Sequence, residues 1–114
     1  MLFSGQAARI KASKIAKERA VTESIDYKIQ IKSKQEILLE EISQIQNSLN
    51  YYENEGTELS DEILKTAQIS FKNGEIDFYQ YIQSLESAYD IKLGYLDKLK
   101  EYNKTATSIN FLTL

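Results

Sequence analysis

The 114-residue sequence predicts an all-α fold, a long antiparallel coiled-coil hairpin with unequal arms, and three observations carry that expectation. Proline is absent and glycine occurs only four times, at Gly5, Gly56, Gly74 and Gly94, so little interrupts a helix. Apolar residues recur at alternating steps of four and three along two long stretches, the period of a coiled-coil seam and not of a strand. Between the stretches stands Phe71-Lys72-Asn73-Gly74, an ending in which glycine supplies the left-handed conformation that closes helices. Apolar residues at 42% and charged residues at 27% suit a folded chain, which argues against wholesale disorder.

Taken in order, Leu2-Phe3-Ser4-Gly5 reads as a short extended lead-in, with Ser4 or Gly5 capping a helix from about residue 6. That first helix is expected to reach about residue 72. Its most regular part is Leu38, Ile42, Ile45, Leu49, Tyr52, Gly56, Leu59 and Ile63, a seam for a partner helix in a left-handed supercoil. The first third is less tidy: Val21, Ile25 and Ile29 form one stripe, while Ile10 and Ile31 sit off it. Two partner helices, or one that lies outside this sequence, both fit that pattern. Asn54-Glu55-Gly56 is the weakest point, because a mid-helix glycine costs about 1 kcal/mol relative to alanine. The heptad keeps its register through it, so the expectation is an uninterrupted helix with a bend at 54–56, a break being the alternative.

The reversal occupies residues 73–77. Gly74 ends the first helix, Asp77 offers an N-cap, and Gln80 three residues later completes a capping box. Glu75 and Asp77 also suit the positive end of the new helix dipole. The second helix is expected from about 78 to about 108, with a seam of Phe78, Ile82, Leu85, Tyr89, Lys92, Leu96, Leu99, Asn103 and Ala106. Tyr81, Tyr95 and Tyr102 form a flanking stripe, read as packing or as a surface for another subunit, and Gly94 permits a close helix approach. Ile109 to Leu114 turns apolar and β-like, which predicts a return to extended backbone.

Arm length carries a further expectation. At 1.5 Å per residue the first helix would be about 100 Å long and the second about 48 Å. The shorter arm leaves Val21, Ile25, Ile29 and Ile31 without cover in cis. Burying each aliphatic side chain is worth about 1.5–3 kcal/mol, so such a stripe recruits another chain. Self-association, or folding back at Gly56, is the expected behaviour of the chain alone.

Histidine and cysteine are both absent, which removes the usual ligands for zinc, copper and haem, nucleophilic triads and thiol redox chemistry. Glu40 and Glu41, and Asp61 and Glu62, are adjacent pairs on charged helix faces with no pocket implied. The expectation is therefore no catalytic residue, no cofactor, no metal site and no enzyme. There is neither a secretory-signal pattern nor an apolar run of 18 residues, so no helix is expected to span a membrane. The formal charge of −3 hides an asymmetry: residues 1–36 carry eight basic and four acidic side chains, the remainder six and thirteen. No aromatic residue interleaves with the basic stretch before Tyr27, so nucleic-acid binding is not expected.

Two motifs and their separation resemble the TolC-like outer-membrane factors, the exit ducts of bacterial efflux pumps. Leu2-Phe3-Ser4-Gly5-Gln6 is similar to the family's Leu-Phe-x-Gly-Gly step, where a barrel strand hands over to a long periplasmic helix. Phe71-Lys72-Asn73-Gly74, followed by Asp77-Phe78-Tyr79-Gln80-Tyr81-Ile82 and Leu85, is similar to the family's aromatic-x-x-Gly turn before a shorter return helix. The sequence departs from the pattern in lacking the second glycine, in placing Met1 where a proline usually stands, and in carrying Gln80 and Gln83 where acidic residues are frequent. The resemblance spans nearly the whole chain and only the second of the family's two repeats, so residues 1–114 would be one helical-hairpin piece of a larger duct protein. It implies a trimeric parent whose helices form a hollow periplasmic barrel continuous with an outer-membrane β-barrel, the only contact with membrane. Phe71, Asn73, Gly74, Glu75 and Asp77 would form the tip that meets a periplasmic adaptor and an inner-membrane transporter of the resistance-nodulation-division type, serving cation or heavy-metal export. A periplasmic adaptor hairpin and a plain coiled-coil scaffold are the alternatives. The first requires matched arms between lipoyl-like β segments, and the second requires a lone short reading frame.

Overall fold

The structure, a computed structural model, describes residues 2–113, with side chains described for 4–113. Helix α1 spans Leu2–Tyr51, a π-helical turn follows at Tyr52–Gly56, α2 spans Thr57–Lys72, and α3 spans Phe78–Thr113. No strand occurs among the described residues, and the expected all-α hairpin forms, with α2 and α3 as its antiparallel pair.

Both chain ends depart from expectation. The lead-in Leu2–Gly5 is the first turn of α1 and not extended, and α3 continues past residue 108 through Ile109-Asn110-Phe111-Leu112 to Thr113. Met1 and Leu114 lie outside the described residues. The reason is hydrogen bonding. An extended segment must pair its amides and carbonyls with a neighbouring strand, whereas a growing helix gains one internal bond for each residue fixed.

The chain divides into two units, Met1–Ile37 and Leu38–Leu114. In the first, α1 presents Ile10, Ile15, Val21, Ile25, Tyr27, Ile29 and Ile37 to solvent, with Ile31 and Gln35 half-buried. Three of the four residues expected to lack cover thus do so, Ile31 being the exception.

In the second unit the seam upstream of the π turn follows the sequence: Leu38, Ile42, Ile45 and Tyr52 are half-buried and Leu49 and Gly56 buried. Beyond the turn the seam moves by one residue. Leu59 is 42% exposed, and its neighbour Ser60 is completely buried instead, followed by half-buried Ile63 and Leu64, buried Ala67 and half-buried Ser70. A π turn holds one more residue than an α turn, so everything after it is rephased by about 100°. Gly56 therefore neither breaks the helix nor sits in a regular one. Its surroundings are packed: a Cβ there would stand 3.0 Å from Tyr52 Cδ1 and 3.5 Å from Ile91 Cγ2. Thr57 closes the wide turn, its backbone N–H and its hydroxyl both donating to the Tyr52 carbonyl, the hydroxyl at 3.1 Å.

On α3 the seam is Tyr81, Leu85, Ala88, Lys92, Tyr95, Leu99, Tyr102, Ala106 and Ile109, again in steps of four and three. Leu85, Lys92, Leu99 and Ala106 were expected there, and Ile82 is half-buried beside it. Phe78, Tyr89 and Leu96 are not in it, being 65%, 55% and 58% exposed, and Asn103 is exposed as well. The tyrosine stripe read as flanking is part of the seam. Bulk explains the correction where the helices come closest, at Leu59 and Tyr89: there the interface selects their smaller neighbours Ser60 and Ala88, whereas at Leu96 and Asn103 it takes the larger Tyr95 and Tyr102. With Ser60 and Ala88 both completely buried, the backbones approach until the Ser60 hydroxyl donates to the Ala88 carbonyl at 2.9 Å. Farther along, Gly94 leaves room for the Tyr52 ring, since a Cβ there would lie 2.5 Å from Tyr52 Oη and 3.1 Å from Cζ. Tyr52 in turn packs on Tyr95 at 5.9 Å between ring centroids. Across the pair, Lys92 Nζ meets Asp61 Oδ1 at 3.1 Å at the exposed edge, where an ion pair adds little.

Two outcomes are expected. Ala88→Leu should lower stability by about 1–3 kcal/mol through overpacking, whereas Gly5→Ala, with nothing within 4 Å of the added methyl, should leave it unchanged or slightly higher. Thermal melts followed by circular dichroism check both. The second outcome concerns pH. The Tyr95 phenol is held above its ordinary range, first by desolvation and then by the Glu53 carboxylate, which accepts a hydrogen bond from it at 3.2 Å. A raised acid pKa stabilises the fold below the ordinary phenol value near 10 and loses that contribution as pH climbs through the raised one. The stability advantage of the native chain over Tyr95→Phe should be flat from about pH 7 to about pH 9 and shrink above about pH 10, measured by urea denaturation.

Candidate functional site

The reversal at residues 73–77 builds the most structured surface feature of the hairpin. The chain leaves α2 through Asn73, whose N–H still bonds the Ile69 carbonyl at 3.0 Å. Gly74 takes φ +75°, and its N–H donates to Phe71 O at 3.1 Å while the Glu75 N–H donates to Ser70 O at 2.8 Å. That pair of bonds is the Schellman arrangement, which satisfies two carbonyls that the helix end leaves over. Three residues later the new helix is capped reciprocally. The Gln80 N–H donates to Asp77 Oδ1 at 2.8 Å, and the Asp77 N–H donates to Gln80 Oε1 at 3.0 Å. Both halves of the turn therefore close as the sequence predicts.

All five expected tip residues are exposed, and the fold brings them to one end of the α2–α3 pair: Phe71, Asn73, Gly74, Glu75 and Asp77. Their roles differ. Asn73, Gly74 and Glu75 serve the turn through their backbones, Asp77 caps α3 through its side chain, and the side chains of Asn73 and Glu75 take no part in these bonds. Sequence reasoning missed the aromatic cluster at the tip. Phe71 stacks on Tyr81 at 4.8 Å and 15°, and meets Phe78 at 6.2 Å and 58°. Phe78, assigned to the seam, belongs here. The signal was the presence of aromatic residues on both sides of the Asn-Gly step, one turn from it in each direction.

Two shallow grooves flank the seam. One of about 500 Å³ lies between Leu38–Ser48 and Lys98–Ser108, floored by Leu38 and Ile45 and rimmed by Glu41, Lys98, Glu101 and Lys104. The other, of about 400 Å³, runs along Leu59, Ile63, Thr66 and Ser70. Among the described residues, no three His, Cys, Asp or Glu side chains converge as a metal site would need, and no helix is long and apolar enough to cross a membrane. Comparison with protein-family models, with curated proteins and with solved structures returns no match to this chain.

The turn can be tested by itself. Gly74→Ala places a Cβ on a left-handed backbone and should cost about 1–2 kcal/mol. Asp77→Ala should cost about 1 kcal/mol through loss of the cap. Both are read from urea unfolding of the whole chain, with helix content before the transition unchanged.

Proposed function

We propose that this chain is the periplasmic hairpin of a TolC-like exit duct, lining an export conduit by packing side by side with related hairpins of a trimeric parent. The single observation that supports this reading most is the apolar surface left outside the α2–α3 seam. Tyr89, Leu93 and Leu96 form an exposed stripe at steps of four and three on α3, and Leu59 and Ile69 are exposed on α2. A hairpin that had finished folding would not carry a second seam, because exposed stripes of this kind mark contacts with further helices. A tube wall requires such an element: each helix pair must bury one stripe within itself and others against its neighbours on either side.

In this reading the tip, with Glu75 at its apex and the Phe71–Tyr81 stack beneath it, meets a periplasmic adaptor and an inner-membrane transporter. The chain acts by packing and not by chemistry, and the exported solute, a metal cation in the reading the resemblance suggests, is bound by the partners. In the same reading the N-terminal stripe of Val21, Ile25 and Ile29, exposed in the chain alone, is covered by neighbouring helices of the assembly.

Export by the full-length protein tests the proposal. Glu75→Lys, Asp77→Lys and Gly74→Trp should each impair export several-fold while the protein stays helical and reaches its normal abundance. Undiminished export by all three would refute the tip assignment.

A further inference from the structure

We infer that the α2–α3 pair has two packed states at one axial alignment, the observed one and a second in which both helices have rolled about their axes to bring Leu59 and Tyr89 inward in place of Ser60 and Ala88. The inference rests on the hairpin alone and does not depend on the duct reading. Its first support is that the sequence carries a second complete seam. Without the π turn, the heptad of α1 continues through Leu59, Ile63, Thr66 and Ser70, and that of α3 reads Phe78, Ile82, Leu85 and Tyr89. Placed antiparallel, these give Leu59 on Tyr89, Ile63 on Leu85, Thr66 on Ile82 and Ser70 on Phe78. That is the same axial alignment that now sets Ser60 on Ala88 and Glu53 on Tyr95. Moving between the states therefore needs no sliding of one helix along the other, only rotation.

The second support is the condition of the alternative residues. Leu59, Phe78 and Tyr89 are exposed, and Leu59, Ile63, Thr66 and Ser70 border an unfilled groove of about 400 Å³. Space lies beside α2 where the roll would carry it. The third is the device that selects the state. The one extra residue of the π turn at Tyr52–Gly56 is what brings Ser60 instead of Leu59 into the seam. Such a turn can be absorbed or moved along a helix one residue at a time, each step rotating the downstream helix by about 100°. The contacts that hold it are few and local: Thr57 on the Tyr52 carbonyl, Tyr52 over Gly94, and Tyr95 on Glu53. A packed interface with two discrete arrangements is the usual way a helix pair responds to a partner.

Cysteine pairs distinguish the states, and the chain has no cysteine of its own. In an antiparallel pair, the residue before the seam on one helix and the residue after it on the other lie on opposite sides of the interface. Leu59→Cys with Tyr89→Cys therefore cannot join in the observed state and can in the rolled one. Ser60→Cys with Ala88→Cys reports the reverse. Deleting Asn54 removes the extra residue while keeping Ser60 in the seam, so it locks the observed state. Under mild oxidation, with the intramolecular product read on non-reducing gels, the 60–88 pair should form readily in both backgrounds. The 59–89 pair should form in the full chain and fall several-fold when Asn54 is deleted. Thr66→Cys with Ile82→Cys reports the rolled state independently should the first pair disturb folding. If neither rolled-state pair exceeds its yield in the Asn54 deletion while 60–88 forms, the hairpin has one state and the inference fails.

Discussion

The contact between Ser60 and Ala88 is the constraint on which the hairpin depends. Both residues are completely buried, and the Ser60 hydroxyl reaches the Ala88 carbonyl across the interface. Only small side chains permit backbones to come that close, and once they have, the axial alignment of every other pair along α2 and α3 is decided. Lys92 can then find Asp61, Tyr95 finds Glu53, and Phe71 comes to rest on Tyr81. The serine also solves its own problem, since a buried hydroxyl with no partner would cost more than the contact gains.

That contact exists because of a distortion some distance away. The π turn at Tyr52–Gly56 brings Ser60, and not Leu59, to face α3. Gly56 is buried in the turn under Tyr52 and Ile91, and Gly94 accepts the Tyr52 ring across the interface. Two glycines with ordinary helical surroundings in sequence thus serve opposite sides of one junction. Upstream of it the seam is made of larger side chains, Leu38, Ile42, Ile45 and Leu49, facing Leu99, Tyr102, Ala106 and Ile109, and a groove opens there. Downstream the small residues Ser60, Ala67 and Ala88 are interspersed with larger ones and the helices close up. The change from one mode of packing to the other requires a change of phase, and a single inserted residue supplies it.

The hairpin leaves apolar surface uncovered. Its cis seam uses one face of α3, and the neighbouring face, with Tyr89, Leu93 and Leu96, stays in water. The N-terminal unit carries further uncovered isoleucines along a basic helix, while acidic residues predominate in the rest of the chain. Uncovered stripes and opposite charge on the two parts both favour association with other helices, which is the property a wall-forming element needs. The turn contributes differently: its Schellman ending and capping box are internally complete, so the tip offers a preformed, exposed surface that needs no partner to hold its shape.

Local chemistry determined what the sequence could reveal by itself. The helical class, the hairpin, the Gly74 ending, the Asp77–Gln80 cap and the seam from Leu38 to Gly56 all depend on spacing and on residues acting within one turn of themselves, and these are legible from order alone. The tertiary structure decided which of two adjacent stripes on α2 and α3 faces inward, and it decided against Leu59, Phe78, Tyr89 and Leu96. It also turned the expected extended ends into helix, because no strand stood near to pair with them. Apolar periodicity identifies a face to within about one residue, whereas the choice between Leu59 and Ser60 depends on how closely two backbones may approach. That distance is a property of both helices together, and neither stretch of sequence contains it.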